Sequence, residues 1–433
     1  MTTLKAVRGT RDLLPPETAL WNHIEKTARQ VFTRYNFGEI RTPIFEDTAL
    51  FARGVGEETD IVSKEMYSWE DRARAQSEKT QSLTLRPENT AGVVRAYIEH
   101  QLGETGQLQK LYYIGPQFRR ERPQKGRYRQ FAQIGAEVIG PPSAGSESPL
   151  RDAEILEMLA ALLDELGITG WTLHLNSVGS QADRARYNEV LRAALVPVVG
   201  QMCVDCQRRA VTNPLRVLDC KVPADQPIID ALPVIADSLD EASTTHFAAV
   251  LAALDAAHVP YTRNNRLVRG LDYYTRTTFE FTHGGLGAQN ALLGGGRYDG
   301  LSEAIGGPKA PGIGFAMGED RLVLTLQALD ESPSSLAQKL NAFIAPLGEQ
   351  LNPAALALAR ELRQAGLRIE LGDGSFRLKK SFETADKTAR RIVILGEDEL
   401  QSGILTVKTF STGMQTKVNR AELAVYLSTP AGE

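Results

Sequence analysis

Two different rhythms divide this chain, and they restrict its fold more than any figure for composition does. Up to about residue 330, strand-like runs, single helices and loops alternate at irregular spacing. That pattern points to an antiparallel sheet with helices packed on it, not to a series of parallel βαβ units. From about residue 338, NAFIAPL, a helix over 353–365, LRIELG, a helix over 375–389, RIVILG and ILTVKTF follow as β-α-β-α-β-β. The intervening DESPSSLAQ is rich in serine and carries a proline, as linkers often do. The expected fold class is therefore α+β: a core over 1–330, a linker over 331–337 and a small α/β domain over 338–433. At 433 residues the chain also exceeds what one hydrophobic core usually supports.

Within the core, Leu20, Ile24, Ala28, Val31 and Phe32 recur at helical spacing. EIRTPIFED reads as a strand, and Pro43 confines it to an edge, a bulge or a subunit interface because proline donates no ladder hydrogen bond. Residues 71–82 read as a loop before SLTLR, and 140–149 as a loop before the helix DAEILEMLAALLDELG. From about 180 to 258 the pattern is mainly helical, as an inserted module would be. Strand character resumes at Tyr261 and is predicted to run through LVRGLDYY and then GGLGAQNALLGGGRYDGL. PGIGFAMGEDRLVLTLQAL reads as a strand leading into a helix.

A net charge of −4 provides no global basic field, so contact with nucleic acid has to rest on local clusters. No window approaches eighteen uninterrupted apolar residues and the N-terminus has no secretion pattern, which predicts a cytoplasmic protein without a membrane span. Three cysteines are too few for a disulfide framework. Cys203 and Cys206 form a C-x-x-C pair and Cys220 follows, a possible start for a zinc site. A structural site wants four ligands, and no pattern ties His246 to the three thiols. Free, partly buried thiols are the expectation, and no metal is assigned.

Two segments concentrate positive charge. FRRERPQKGRYRQF carries Arg119, Arg120, Arg122, Lys125, Arg127 and Arg129 against Glu121 alone, a balance of +5 between two strand-like runs. A hairpin loop of that composition suits polyphosphate and a nucleic-acid end. GSFRLKKSFETADKTARR carries Arg377, Lys379, Lys380, Lys387, Arg390 and Arg391 against two acids, a balance of +4 that suits an RNA backbone. Between them in the sequence, Arg269 sits beside Asp272, Tyr273 and Tyr274 in a β-prone run. A fixed guanidinium there would meet phosphate or carboxylate, and the phenols could hydrogen-bond a polar ring.

On these segments the chain resembles the class II aminoacyl-tRNA synthetases, and among them the histidine-specific branch, over essentially its full length. EIRTPIFE, FRRERPQKGRYRQF and GIGFAMGEDRL resemble the three class II motifs; LRPENT and LVRGLDYY are similar to the histidine-specific segments. The resemblance implies an antiparallel class II catalytic sheet with flanking helices, a helical insertion and a C-terminal anticodon-binding domain. It implies activation of L-histidine with ATP to histidyl-adenylate, with Mg²⁺ on the pyrophosphate oxygens, then transfer to the 3′ end of tRNA(His) by a homodimer. Glu88, Thr90 and Gln133 would hold the amino group of histidine, and Glu137 and Tyr274 the imidazole, with Tyr273 beside it. Arg119 and Arg269 would flank the carboxylate and α-phosphate as the catalytic pair. Phe131 and Arg321 would sandwich adenine, and Arg127 with Arg321 would reach the γ-phosphate. Arg122 and Gln124 would read the tRNA acceptor end. Asn89 stands where the family usually has glycine, and Ala132 where it commonly has histidine. The alternative is a non-catalytic, histidine-binding regulatory subunit of histidine biosynthesis built on the same fold.

Overall fold

The computed structural model describes residues 3–57, 59–71, 80–124, 126–268, 271–286, 290–329 and 339–429. Arg269, Lys125 and the expected linker over 331–337 lie outside these residues. The chain divides into two compact units, 1–333 and 334–433.

The first unit is built on an eight-stranded sheet in the order β1-β5-β6-β11-β10-β9-β7-β8. Its strands are β1 (Gly38–Glu39), β5 (Gln109–Phe118), β6 (Gln130–Ile139), β7 (Trp171–Ser177), β8 (Thr262–Arg263), β9 (Thr275–His283), β10 (Ala291–Arg297) and β11 (Gly312–Gly318). Only the outer pairs β1/β5 and β7/β8 are parallel; the six central strands are antiparallel. A three-stranded sheet, β2-β4-β3, consists of β2 (Phe45–Asp47), β3 (Tyr67–Asp71) and β4 (Gln81–Leu85).

Helix α1 (Thr18–Arg34) packs between α4 (Pro149–Glu165) and α10 (Glu319–Ala328). Leu20, Ile24, Ala28, Val31 and Phe32 are all completely buried, so the periodicity read from the sequence marks the face that the helix buries. Phe32 carries this helix onto the sheet, with ring centroids 5.0 Å from Tyr112 and 6.2 Å from Phe315. Helices α2 (Thr48–Val55), α3 (Thr90–Glu99) and α9 (Leu301–Ala304) pack against one another. Between 180 and 258 the chain forms α5 (Gln181–Leu195), α6 (Val204–Thr212), α7 (Gln226–Asp230) and α8 (Glu241–Ala256), joined by short 3₁₀ turns. Tyr187, Leu191, Cys206, Val217, Cys220, Ile229 and Ile235 share one apolar cluster, whereas α8 packs on α4.

Three sequence expectations are corrected. EIRTPIFED is not one strand: Glu39 pairs with the main sheet and the Ile40 N–H donates to the Tyr112 carbonyl at 2.8 Å, then the chain leaves that sheet through Arg41–Pro43 and joins the small sheet at Phe45. Proline lacks the N–H that would have continued the ladder and restricts Thr42 before it, so the run divides there. The run through LVRGLDYY is not strand either. Residues 264–268 and 271–274 are turn and coil between β8 and β9, because Asn264 closes a turn by accepting the Leu267 N–H at 2.9 Å. The described residues on either side of Arg269, 264–268 and 271–274, are loop, and Arg269 itself lies outside the described residues. In the segment expected as loop over 71–82, Asp71, Gln81 and Ser82 belong to paired strands.

The second unit is a five-stranded sheet in the order β13-β12-β14-β15-β16. Its elements are β12 (Ala342–Pro346), α11 (Asn352–Gln364), β13 (Ile369–Leu371), α12 (Leu378–Thr388), β14 (Arg391–Leu395), α13 (Glu397–Ser402), β15 (Ile404–Thr409), β16 (Gln415–Asn419) and α14 (Arg420–Ser428). The first three strands in chain order are parallel and the last two antiparallel. Sequence periodicity missed α13, β16 and α14. Arg391 does not belong to the exposed basic face. It is buried at the start of β14, where its guanidinium donates to the carbonyls of Leu427 at 3.2 Å and Thr429 at 3.0 Å and stacks 5.1 Å from the Tyr426 ring.

Candidate active site

The register of the central strands sets the site. Glu137 on β6 pairs with Gly314 on β11, which pairs with Gly296 on β10. Paired residues share a face, so this row offers one carboxylate flanked by two positions without side chains. A Cβ on Gly314 would overlap Oε2 of Glu137, and one on Gly296 would meet Cδ1 of Tyr274 at 2.7 Å. The run of glycines in GGGRYD thus makes room for the Tyr274 ring as well as for close backbone approach.

Glu137 is completely buried. Thr90 Oγ1 donates to its Oε1 at 2.7 Å, and the Tyr298 hydroxyl to its Oε2 at 2.7 Å. Burial pushes its carboxyl up to about 8, with Glu88 adding to the rise and the two hydrogen bonds opposing it. Glu88, also buried, accepts the backbone N–H groups of Thr90 at 2.8 Å and Ala91 at 3.0 Å at the start of α3. Burial raises its carboxyl as well, against the pull of those N–H groups. Tyr273 stacks with its centroid 4.8 Å from Tyr274 and meets Tyr298 edge-on at 5.9 Å. Among the described residues, Oε1 of Gln133, both amide atoms of Gln117 and the Tyr113 hydroxyl are buried without a hydrogen-bond partner. Buried polar groups are ordinarily satisfied, so orphaned atoms collected around two carboxylates mark a place for a polar ligand.

Arg119 stands next to this pocket. Its Nε donates to the Pro87 carbonyl at 2.9 Å, beside Glu88, and its guanidinium lies 5.3 Å from the Phe131 ring centroid. A cavity of about 150 Å³ brings together Arg119, Arg127, Phe131, Gln133 and Arg321, with Glu121 on its wall. Arg127 is paired with Glu121 at 3.2 Å, and Arg321 donates to the Ala291 carbonyl at 2.6 Å. Both arginines also line a larger cavity of about 1010 Å³, together with Arg209, Arg216 and Arg266. Gln124 and Arg127 exchange backbone hydrogen bonds of 3.1 and 2.9 Å across the tip of the β5–β6 loop, where Gly126 has φ +75°. Arg122 and Gln124 are exposed there.

The two departures from the family pattern fit quietly. Asn89 has φ −122°, which requires no glycine, and its Oδ1 accepts from Thr42 Oγ1 at 2.6 Å. Ala132 lines a separate cavity with Trp21, Glu25 and Glu319, while its neighbour Gln133 lines the one with Arg119. Sequence reading missed Tyr298, Tyr113, Gln117 and Gly314. The available signal was the period-two alternation of Tyr113, Gly115 and Gln117 on β5, opposite Gly135, Gln133 and Phe131.

An antiparallel sheet flanked by helices, with arginines of two separated motifs meeting over one cavity, is the architecture of a class II aminoacyl-tRNA synthetase. The histidyl-tRNA synthetase family model matches residues 9–322, and the anticodon binding domain model matches residues 341–429. The chain belongs to the histidyl-tRNA synthetase family. It is 71% identical over 425 residues to the histidine–tRNA ligase of Koribacter versatilis, covering 98% of this chain and 96% of that one. It is 55% identical to the histidine–tRNA ligase of Solibacter usitatus, covering 98% and 99%. The crystal structure of apo S. aureus histidyl-tRNA synthetase superposes with a TM-score of 0.80 at 37% identity, covering 99% of this chain and 100% of that one.

Proposed function

We infer that the chain acts as a histidine–tRNA ligase, converting L-histidine and ATP to histidyl-adenylate and pyrophosphate and then acylating the 3′ end of tRNA(His). The observation that carries this reading is the position of Arg119, braced on the Pro87 carbonyl beside Glu88 and stacked near Phe131, between a buried polar pocket and an arginine-lined cavity.

In this reading Glu88, Thr90 and Gln133 take the ammonium group of histidine, and the orphaned Gln133 Oε1 is the acceptor that a cation would fill. Glu137 and Tyr274, with Tyr273 and Tyr298 supporting them, take the imidazole. A slot built from hydrogen-bonding groups rejects side chains that leave those groups unpaired. Arg119 and Arg269 neutralise charge as the histidine carboxylate attacks the α-phosphate and pyrophosphate departs. This is positioning and electrostatic stabilisation, with no covalent role for the protein. Phe131 and Arg321 hold adenine, and Arg127 and Arg321 the γ-phosphate.

Mg²⁺ prefers oxygen donors, which the phosphates and the Glu121 carboxylate on the cavity wall would provide, and when bound it neutralises the departing pyrophosphate. Arg122 and Gln124 at the loop tip are assigned to the tRNA acceptor end. Ile44, Phe45 and Trp69 are 45%, 53% and 41% exposed, which supports a homodimer through the Pro43 region. No helix among the described residues is long and apolar enough to cross a membrane, in keeping with a cytoplasmic enzyme.

The test is histidine-dependent exchange of labelled pyrophosphate into ATP without tRNA, for the wild type, Arg119→Ala and Arg269→Ala. Exchange with histidine alone among the amino acids, lost in both variants, is the expected result. A folded wild-type protein that binds histidine without exchange would overturn the reading in favour of the regulatory one, which no feature of the site favours.

A further inference from the structure

We propose that Cys203, Cys206, Cys220 and Asp225 form a structural zinc site that staples the helical segment between α5 and α8. The four ligand atoms lie within 4.8 Å of one another. Zinc–sulfur bonds of about 2.3 Å in a tetrahedron set sulfur–sulfur edges of about 3.8 Å. The Cys203 and Cys220 sulfurs are 3.9 Å apart, and Cys220 Sγ lies 3.3 Å from Asp225 Oδ2. Two edges of the cluster thus already stand near those of a four-coordinate site, and the remaining ligand atoms lie within 4.8 Å.

Three further features point to a cation. Cys203 caps the N-terminus of α6, its sulfur accepting the Cys206 N–H at 3.4 Å, and the Val222 N–H reaches the Cys220 sulfur at 3.4 Å. Amide N–H groups aimed at the sulfurs are the outer hydrogen bonds that a metal-ligating sulfur keeps when an ion is bound. Asp225 is only 1% exposed, and its carboxylate accepts from the Cys203 N–H and the Cys220 sulfur. It supplies the fourth donor of the set, and a divalent ion between it and the sulfurs would pair its charge. Both Asp225 oxygens also accept the Cys203 N–H at 3.2 Å, which orients the carboxylate toward the sulfurs.

Binding would transfer three thiol protons to solvent and leave three thiolates and a carboxylate on the ion, a net charge of −2. Lys221, Arg209 and Arg266 on the neighbouring cavity wall are placed to balance it. Soft sulfur donors in a closed four-ligand set select zinc over calcium or magnesium. A Cys203–Cys220 disulfide is the competing chemistry, but it would leave Cys206 and the buried Asp225 carboxylate unexplained. The site escapes sequence inspection because its fourth ligand is an aspartate in the turn before α7, not a histidine.

The experiment is metal analysis of the full-length chain purified without chelator and then passed through dilute Zn²⁺ and desalted, with thiols titrated under denaturing conditions. About one zinc per chain and three free thiols are expected, with thiolate-to-metal charge-transfer absorption when Co²⁺ replaces the zinc. Cys220→Ser and Asp225→Asn should each lower retained zinc at least about tenfold, and Asp225→His, which keeps a ligand, should restore it. Retention below about a tenth of an equivalent by the wild type, or a single free thiol indicating a disulfide, would overturn the proposal whatever the variants do.

Discussion

Glu137 occupies the space that a side chain on Gly314 would need, since a Cβ there would overlap its Oε2. The carboxylate is held on that spot from two sides, by Thr90 and by Tyr298. Gly314→Ala should therefore displace the carboxylate, and because the same Cβ would come within 2.7 Å of the Ala136 carbonyl oxygen it should also strain the β6–β11 pairing. Histidine-dependent pyrophosphate exchange should fall on the order of a hundredfold, the rate expected when a positioned group shifts by about an ångström. Unchanged exchange, with a native circular dichroism spectrum, would remove Glu137 from the histidine slot.

Protonation of the same residue gives a second prediction. The folded carboxyl titrates near 8 against an ordinary 4.5, so its contribution to stability is fully present below about pH 4.5 and is lost as pH rises through about 8. Glu137→Gln cannot ionise. Relative to this variant, the wild type should lose stability steadily between those limits in urea unfolding at a series of pH values. A difference that stays flat with pH would show that the carboxyl titrates normally.

Arg297 and Asp152 give a third. Both are completely buried, 2.5 Å apart, with the His246 Nε2–H donating to the other Asp152 oxygen at 2.8 Å. Burial alone would raise the Asp152 carboxyl, but Arg297 and His246 outweigh it and hold it down at about 2. Asp152→Asn strands a buried guanidinium and should cost about 3–5 kcal/mol in chemical denaturation. A loss under about 1 kcal/mol would mean that Asp299, 2.9 Å from Arg297, suffices alone.

In the second unit, Arg377, Lys379 and Lys380 are exposed, and Lys380 Nζ lies 4.1 Å from the centroid of the Phe376 ring. The triple alanine variant should raise KM for tRNA(His) roughly tenfold and flatten its salt dependence, while leaving tRNA-independent pyrophosphate exchange unchanged. Equal loss in both assays would place these residues in folding rather than in RNA contact.

Much of this was legible beforehand because it rests on periodicity and local chemistry. The buried face of α1, the β5–β6 hairpin and the strand–helix junction at Gly318 follow directly from the spacing of apolar residues. What eluded the sequence depends on register. Nothing in a linear reading places Tyr298 over Glu137 or sets Gly314 opposite it. Arg391 likewise reads as one more basic residue until the start of β14 takes it into the core. The loop around Leu267 and Val268 was mistaken for strand because valine, tyrosine and threonine favour strands, while the Asn264 turn that interrupts them leaves little trace in composition.

Arg119 touches the Pro87 carbonyl, beside the pocket proposed for histidine, with one nitrogen, and its guanidinium lies 5.3 Å from the centroid of the Phe131 ring. The amino acid and the nucleotide would thus share a single movable wall. Whatever one ligand does to that guanidinium, the other meets. By reciprocity, histidine should change the affinity for ATP by the same factor that ATP changes the affinity for histidine, so the two substrates bind as a coupled pair.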